Sequence, residues 1–179
     1  MKKSPKIIIV GILVIIIIFI GLFILKYSSN EKIIEDKDGL YVKVERYLIS
    51  LEKPQYFLET KDSIPNYNIE DFKVFTDIAK LGIRQKGTET DVYIWALIED
   101  YYVQDGKLIQ SSGSSMPYKF IIKNNEIVSY KVPEDGDRYA ESLKKIFPND
   151  IRLKLANSLV DNDKIDKQVK EYYSYLSNN

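Results

Sequence analysis

Cysteine and histidine are both absent from the 179 residues of the chain. Without a thiol or an imidazole, the chain cannot form the Ser-His or Cys-His pairs of common hydrolases, nor an ordinary zinc site of Cys and His. It also forms no disulfide bond and carries no lipid-modified cysteine. An exported domain with this sequence must be held together by its core alone. The chemistry that remains uses carboxylates, tyrosines, Ser-Lys pairs and hard metal ions.

Net charge is absent as well, since 26 Lys and Arg residues balance 26 Asp and Glu residues. Three of the basic residues, Lys2, Lys3 and Lys6, lie at the N-terminus, so the rest of the chain is slightly acidic. This balance provides no electrostatic footprint for nucleic acid or for an anionic lipid surface. We therefore expect no nucleic-acid partner.

The longest apolar run extends from Ile7 to Leu25 without a charged residue. As a helix that rises about 1.5 Å per residue, it reaches about 28 Å, close to the ~30 Å hydrocarbon thickness of a bilayer. A cleaved signal peptide has a shorter apolar region of roughly 7 to 15 residues, with small residues before the cleavage site. The sequence therefore favours an uncleaved transmembrane signal anchor at 7–25, embedded in the lipid bilayer, over a cleaved signal.

The N-terminal lysines also predict the orientation of this anchor, because basic residues that flank a span stay on the cytoplasmic side. Residues 1–6 are then a cytoplasmic tail, and the polar residues 26–39 are an external stalk. An extracytoplasmic α+β domain at 40–148 and C-terminal helices at 149–179 complete the predicted organisation. We expect a single-pass protein of the cell membrane with an extracellular C-terminal part.

Helical periodicity appears on both sides of the central region. A first stripe, which consists of Leu40, Val44, Leu48 and Leu51, predicts a helix from Leu40 to Lys53. The β-branched residues Val42, Val44 and Ile49 leave a strand as the alternative for this segment. Asp137 and Asn149 are placed to cap two later helices. The last predicted helix carries an apolar stripe made of Ile165, Val169, Tyr172, Tyr173 and Leu176.

Alternating segments between these helices predict an antiparallel meander of three to five strands. The segments begin at Phe72 and are separated by turn pairs typical of hairpins: Lys86-Gly87, Asp105-Gly106 and Asn124-Asn125. The run that starts at Asp91 is apolar on both faces, which predicts a central strand covered on both sides. The order of elements indicates an α+β fold with an N-terminal transmembrane helix, then a helix, a curved sheet and C-terminal helices. A cystatin-like or NTF2-like fold is the specific expectation.

The residues predicted to contact a ligand cluster at the end of the central strand. Glu99 and Asp100 lie beside Tyr101 and Tyr102. In an NTF2-like pocket the two carboxyl groups would serve as acid or base, whereas the favoured interpretation is a strand that ends in solvent. Tyr175 lies off the stripe of the last helix, so it is the tyrosine we expect to contact a protein or glycan.

Three other motifs have a chemical and a structural interpretation. Ser142-Leu-Lys-Lys145 has the S-x-x-K spacing of Ser-Lys acyl enzymes, but the same spacing recurs by chance elsewhere in the chain. The acidic turn Glu134, Asp135 and Asp137 fits turn chemistry better than a calcium or magnesium site. The segment Gln110–Pro117 predicts a β-bulge rather than an anion-binding loop. We therefore expect no catalytic residue, no bound metal and no cofactor.

Two stretches, "VYIWALIEDYYVQDGKLIQSSGSSMPYKFII" and "YKVPEDGDRYAESLKKIFP", carry a family resemblance. Together they resemble a group of uncharacterised secreted or membrane-anchored proteins of low-GC Gram-positive bacteria. The likeness covers roughly Phe72 to Pro148, and its most specific part is a P-x-D-G-x-x-Y motif followed by F-P: Pro133, Asp135, Gly136, Tyr139 and Phe147-Pro148. The resemblance implies an extracytoplasmic domain and supplies no catalytic residues.

Taken together, the sequence predicts a non-catalytic binding or assembly module of the bacterial cell envelope. Its partner would be an envelope protein or a glycan. One version resembles VirB8-like conjugation components, which combine an N-terminal anchor with an NTF2-like domain. The competing hypothesis is a carboxylate enzyme with an NTF2-like pocket, which requires Glu99 and Asp100 to face the same cavity.

Overall fold

The computed structural model describes residues 31–52, 71–157 and 160–177. The predicted cytoplasmic tail at 1–6 and the predicted anchor at 7–25 lie outside the described residues. Within the three described ranges, no helix is both long enough and apolar enough to cross a membrane.

The described residues form an α+β structure around one open antiparallel sheet, as the element order predicts. Its five strands follow the chain in the order β1-β2-β3-β4-β5. The strands are β1 (Glu31–Ile33), β2 (Lys73–Lys86), β3 (Glu89–Gln104), β4 (Lys107–Lys123) and β5 (Glu126–Lys131). The helices are α1 (Leu40–Glu52), α2 (Tyr139–Ile146), α3 (Asn149–Leu155) and α4 (Asn162–Tyr172), with 3-10 turns at Gly136–Arg138 and Ser174–Ser177.

Tight two-residue turns connect the strands β2 to β5, at the predicted positions for Asp105-Gly106 and Asn124-Asn125 and one residue later than predicted for the first turn, since Lys86 still pairs with Glu89. Asp105 and Gly106 have φ angles of 51° and 73°, and Asn124 and Asn125 have φ angles of 50° and 64°. Type I′ hairpin turns need a positive φ at both central residues, which Gly, Asn and Asp tolerate better than other residues. These turns set the register of β3, β4 and β5, so the meander follows directly from local sequence.

The segment before α1 contributes more than a connection. Glu31–Ile33, within the range assigned to a stalk, pairs with Arg84–Lys86 at one end of β2. Asp36 then caps α1, because its carboxylate accepts the backbone N–H of Leu40 at 2.5 Å. The helix begins at Leu40 and runs to Glu52, close to the predicted bounds.

One face of the sheet packs against α1. Val44 and Leu48 of the helix are fully buried against a layer of strand side chains: Ile83, Val92, Ile94, Ala96, Phe120 and Ile122. Burying one such aliphatic side chain contributes roughly 1.5 to 3 kcal/mol. We call this surface the α1 face.

The C-terminal helices cover the other face of the sheet, which we call the α4 face, with two separate clusters. In the first cluster, the sheet residues Phe75 and Leu97 contact Ile165 and Val169 of α4 and Tyr173, which directly follows that helix. The second cluster lies further along the sheet. In it, Phe147, Ile151 and Leu155, from α3 and the residues before it, pack on Leu81 and Tyr93 of the sheet. These two clusters on the α4 face, together with the core on the α1 face, confirm that β3 is a central strand covered on both sides.

The two predicted helix caps are wrong. The chain turns at Gly136, where φ is 66°, and the 3-10 turn that follows takes up Asp137, so α2 begins at Tyr139 without a side-chain cap. Asn149 is the first residue of α3, and its side-chain oxygen accepts a hydrogen bond from Arg152 within the helix. Besides the Asp36 cap of α1, the described residues form a side-chain cap at α4, where Asp161 accepts the N–H of Asp163 at 3.0 Å.

Candidate functional site

The predicted ligand residues at the end of β3 are divided between the two faces of the sheet. Side chains alternate along a strand, so Tyr102 joins the core on the α1 face while Tyr101 joins the cluster on the α4 face. Asp100, two residues from Tyr102, shares the α1 face, and Glu99 shares the α4 face. The structure therefore does not bring the four residues together.

Glu99 and Tyr101 form a pair on the α4 face. The Tyr101 hydroxyl donates a hydrogen bond of 2.7 Å to Glu99 Oε2, and the Tyr101 ring lies edge-on to Phe75 at 5.8 Å between centroids. Burial, together with the Glu99 carboxylate, raises the pKa of Tyr101 well above its ordinary value. The pair holds Tyr101 as a neutral hydrogen-bond donor within the packing of this face.

Asp100 is a buried carboxyl group with one satisfied oxygen. It is 7 % exposed, Ser112 Oγ donates to its Oδ2 at 2.7 Å, and its Oδ1 is buried without a hydrogen-bond partner. Burial raises the pKa of Asp100, and the Ser112 hydrogen bond opposes that effect only in part. Asp100 is thus a carboxyl group whose surroundings favour its neutral form.

The β-bulge predicted in Gln110–Pro117 is present opposite Asp100. Asp100 pairs with Ser112 while Tyr101 pairs with Gln110, so Ser111 is the extra residue of β4. A bulge bends its strand and redirects side chains locally. Here it places the Ser112 hydroxyl beside the buried carboxyl group.

An acid and a base that act together must both reach the same substrate. Glu99 and Asp100 cannot do so, because adjacent side chains of β3 point to opposite faces of the sheet. The two residues of the Ser-Lys motif, Ser142 and Lys145, are also separated from each other. Ser142 is buried, and its Oγ accepts the N–H of Glu134 at 2.9 Å and contacts the Tyr139 carbonyl at 2.9 Å, whereas Lys145 pairs with Glu141 at the surface. Ser142 therefore serves to anchor the start of α2.

The acidic turn has a structural role too. Glu134 pairs with Arg138, four residues further along the chain, at 2.9 Å, with both side chains exposed. Across the described ranges as a whole, no three His, Cys, Asp or Glu residues are grouped so that they could hold a metal ion.

The predictions for the tyrosines near the C-terminus have different outcomes. Tyr175 lies in the 3-10 turn Ser174–Ser177, and its side chain falls outside what the structure describes. Tyr173 is buried, but Tyr172, which the periodicity assigned to the apolar stripe, is 43 % exposed. The buried stripe follows the spacing i, i+4 and i+8 from Ile165, so it includes Tyr173 and leaves Tyr172 at its margin. This spacing was the signal in the sequence that distinguishes the two tyrosines, and the prediction missed it.

Tyr172 faces a groove along the open edge of β2. Since β1 pairs only with Arg84–Lys86, the stretch Lys73–Lys80 has β3 on one side and, among the described residues, no strand on the other. In antiparallel pairing every second residue directs its N–H and C=O away from the neighbouring strand. This open edge ends at Leu81, whose carbonyl accepts a hydrogen bond from Lys154 at 2.7 Å.

Helices on both faces of the sheet form the walls of this groove, which has a volume of about 550 Å³. Glu45 and Ile49 line it from α1, and Gln168, Glu171 and Tyr172 line it from α4. The start of β2, from Lys73 to Thr76, forms its floor. We call it the β2 groove.

Side-chain contacts hold the walls of the β2 groove to its floor. Thr76 Oγ1 donates to Glu45 Oε1 at 2.9 Å, which ties α1 to the strand. The Tyr172 ring lies edge-on to Phe75 at 5.9 Å, and the Lys73 ammonium group lies 5.1 Å from its centroid. The groove thus has one wall that carries Tyr172, another wall that carries Glu45, and a floor formed by the start of β2.

Asp77 fixes the position of α4 over β2. Its Oδ2 accepts the backbone N–H of Asp161 at 2.9 Å, and its Oδ1 pairs with Lys164. Burial opposes ionisation of Asp77, but the hydrogen bonds from Lys164 and Asp161 outweigh it and hold its pKa below the ordinary value. The carboxylate is therefore charged, and Lys164 neutralises it.

A second, more polar concavity of about 730 Å³ lies at the opposite end of the sheet, between the β2–β3 and β4–β5 turns. Apolar side chains of Ile34, Leu40 and Ile122 contribute to its lining. Its polar lining consists of Asp38, Gln85, Thr88, Thr90, Asn124 and Asn125. The lining is dominated by neutral amides and hydroxyls.

Comparison of the chain with protein-family models, with curated proteins and with solved structures finds no match. The resemblance carried by the P-x-D-G-x-x-Y and F-P motifs therefore stays a prediction. The structure does give part of this segment a physical role. Pro133 and Phe147 are buried, and the Phe147 ring packs on Tyr93 at 5.8 Å, so the motif docks α2 on the sheet.

Proposed function

We propose that the chain is a membrane-anchored, extracytoplasmic binding or assembly module of the bacterial cell envelope, which acts by binding a partner rather than by catalysis. The observation that carries the proposal is the β2 groove, where the open edge at Lys73–Lys80 lies between α1 and α4. An uncovered strand edge pairs readily with another chain. A groove that leads to such an edge is therefore a binding surface.

The anchor in this proposal rests on the sequence, and the fold is compatible with it. Residues 26–30 would connect the span to Glu31, and five extended residues reach about 17 Å. Glu31 pairs with Lys86 beside the β2–β3 turn, so that end of the sheet would lie near the membrane. The Asp105-Gly106 turn, at the far end of β3, would lie about 50 Å further out, at about 3.3 Å per residue.

The proposal includes a cystatin-like fold in preference to an NTF2-like one. The support is the element order, in which a strand and a helix precede a continuous four-strand meander. A VirB8-like assembly role is compatible with the same groove. The enzyme hypothesis has less support, because Glu99 and Asp100 lie on opposite faces.

A neutral glycan is the second candidate ligand, and the concavity between the β2–β3 and β4–β5 turns favours it. Amides and hydroxyls such as those of Gln85, Thr88 and Asn125 donate and accept hydrogen bonds without charge. The β2 groove remains the leading site, since it combines an aromatic side chain with an open backbone edge.

Two experiments in cells test the proposal. Protease added outside intact cells should remove the domain from a protein that fractionates with membranes. A photoreactive p-benzoylphenylalanine at position 172, in the β2 groove, should give a discrete adduct, while the same residue at position 139, an exposed tyrosine on α2, should give none. Protection from the protease, or adducts of equal yield at both positions, would contradict the proposal.

A further inference from the structure

The floor of the β2 groove restricts the shape of its ligand. Along an antiparallel strand, outward-facing peptide groups recur every second residue, at about 6.8 Å. Eight residues, from Lys73 to Lys80, present this repeat without a strand partner among the described residues. An extended chain has the same repeat and can pair with it along its length, whereas a helix satisfies its own backbone groups.

The walls of the groove argue against a second copy as the occupant. The N-terminal end of α4 is fixed over β2 by the contacts of Asp77 with Asp161 and Lys164. Paired edges place two strands about 4.8 Å apart, so two copies would bring their α4 helices closer than the 8 to 10 Å that packed helices need. A single strand without its own helices avoids this clash.

The charges of the walls indicate the chemistry of the ligand. Glu45 lies on the α1 wall and Glu171 on the α4 wall, while Lys73, the cation of the floor, lies over the Tyr172 ring. The nearby charge of Asp77 is neutralised by Lys164. Glu171 also lies 3.9 Å from Lys167, but both side chains are largely exposed, so water screens this pair, and Lys167 does not line the groove. Among the lining residues, two carboxylates face one ammonium group, and the partly exposed tyrosine ring favours a further cation.

The positions of the two glutamates add a spacing rule. Glu45 contacts Thr76 on the α1 face, and Glu171 lies next to Tyr172, which packs on the neighbouring Phe75 on the α4 face. Side chains of an added strand alternate between the same two faces. Two adjacent residues of that strand would thus point towards Glu45 and towards Glu171.

We propose that the β2 groove binds an extended peptide segment of an envelope protein, which adds as a strand to Lys73–Lys80 and places two adjacent basic residues between Glu45 and Glu171. This inference rests on the proposed binding function and names the class of partner. The backbone edge provides the pairing, and the two carboxylates select the basic pair.

Synthetic peptides provide the test, with the full-length protein in nanodiscs. A fluorescent eight-residue peptide of Thr and Val with a central Lys-Arg pair should bind, as measured by fluorescence anisotropy. Glu45→Gln and Glu171→Gln should each weaken binding about two- to fivefold, and high salt should weaken it further. The matched control Glu141→Gln, on exposed α2 away from the groove, should change nothing.

Two peptide variants separate the backbone and charge contributions. N-methylation of alternate amides removes the donors, so it should abolish binding although the side chains are the same. A peptide with Glu in place of one of the two basic residues should bind poorly to the wild type, and Glu45→Lys or Glu171→Lys, at the carboxylate that faces this position, should restore its binding. This charge exchange reports a direct contact that a mere loss of stability would not reproduce.

Several results would overturn the inference. Equal binding of the N-methylated peptide would exclude strand addition, and equal binding of acidic peptides would exclude the charge rule. Dimers that dissociate with Glu171→Lys would assign the groove to a second copy. Half of the Val74–Ala79 amides pair with β3, but protection from exchange of the outward-facing half in the free protein would show that the chain itself fills the edge. If no peptide binds while the adduct at position 172 persists, the proposed function stands without this inference.

Discussion

The carboxylate of Asp77 accepts the backbone N–H of Asp161 at 2.9 Å, across 84 residues of the chain. This hydrogen bond and the adjacent pair with Lys164 join the middle of β2 to the beginning of α4. The same contacts set the height of the α4 wall over the β2 groove. A buried side chain within the sheet thus positions the helix that carries Glu171 and Tyr172.

Asp77→Ala should destabilise the protein by about 1 to 3 kcal/mol, because it leaves the Asp161 N–H without its acceptor. Asp77→Asn keeps an acceptor and should have a smaller effect. Urea unfolding followed by the fluorescence of Trp95, the one tryptophan of the chain, measures both. Exposed Asp163→Asn is the control for a charge change on α4. Equal effects of Asp77→Ala and Asp163→Asn would contradict the role of Asp77.

The pKa of Asp77 adds a pH dependence to the same variant. Because this pKa is lowered on folding from an ordinary value of 3.8, the stabilisation is fully present above that value and is lost as the pH falls through the folded pKa. Urea midpoints measured from pH 6 down to pH 2 should converge for wild type and Asp77→Asn at the acid end. Curves that stay parallel would show that the charge of Asp77 contributes nothing.

Asp100→Asn should stabilise the protein at neutral pH. The pKa of Asp100 is raised on folding above an ordinary value of 3.8, so its contribution to stability is largest below that value and decreases as the pH rises through the folded pKa. Asparagine stays neutral and can still accept from Ser112. The difference between variant and wild type should grow between pH 4 and pH 7 in urea unfolding, whereas exposed Asp135→Asn should show no such trend. A variant less stable than wild type at pH 7 would sink this prediction.

Gly82→Ala should destabilise the protein through backbone strain, because φ at Gly82 is 156° and residues with a side chain rarely adopt that angle, and through a steric clash with α3. A Cβ atom at this position would lie 2.9 Å from Ile151 Cδ1, closer than carbon atoms pack, and overpacking of this kind costs about 1 to 3 kcal/mol. Ile151→Val removes that methyl group, so the double variant should regain part of the loss. Thermal unfolding measures all three variants, and strict additivity would rule out the clash.

Leu48→Ala should destabilise the protein by about 2 to 5 kcal/mol, the usual range for a buried leucine, whereas Leu51→Ala should have little effect. Both belong to the stripe that predicted α1, but Leu48 is 1 % exposed and Leu51 is 41 % exposed. They are the same residue type in the same helix, so the comparison isolates burial. Similar losses in urea unfolding would show that α1 packs differently.

Local patterns predicted much of the fold because local physics decides those parts. Asp105-Gly106 and Asn124-Asn125 tolerate the positive φ that tight hairpins require, so the turns could be located from sequence. The helix caps at Asp137 and Asn149 were wrong for a related reason. A capping residue is only a local preference, and the turn at Gly136 shifted the start of α2.

The candidate site was less accessible to such reasoning. Alternation along β3 already implied that Glu99 and Asp100 point in opposite directions, so the pattern held a signal against a shared pocket. The β2 groove was not foreseen, since it depends on where β1 stops pairing and on how α1 and α4 lie over the same strand. Tyr172 was assigned to the buried stripe because it follows Ile165 at a spacing of i+7. That spacing in the sequence occurs both in the buried face of a helix and at its margin.

By itself, the sequence determined the absence of thiol and imidazole chemistry. It also determined the alternation of helices and hairpins, because hydrophobic periodicity and turn preferences act over a few residues, while the anchor stays a prediction. Only the tertiary structure decided which edge of the sheet is open and which side chains border it. The contacts responsible, Thr76 with Glu45 and Asp77 with Asp161, join residues 31 and 84 positions apart. No local pattern specifies such pairs, since each depends on how whole elements pack.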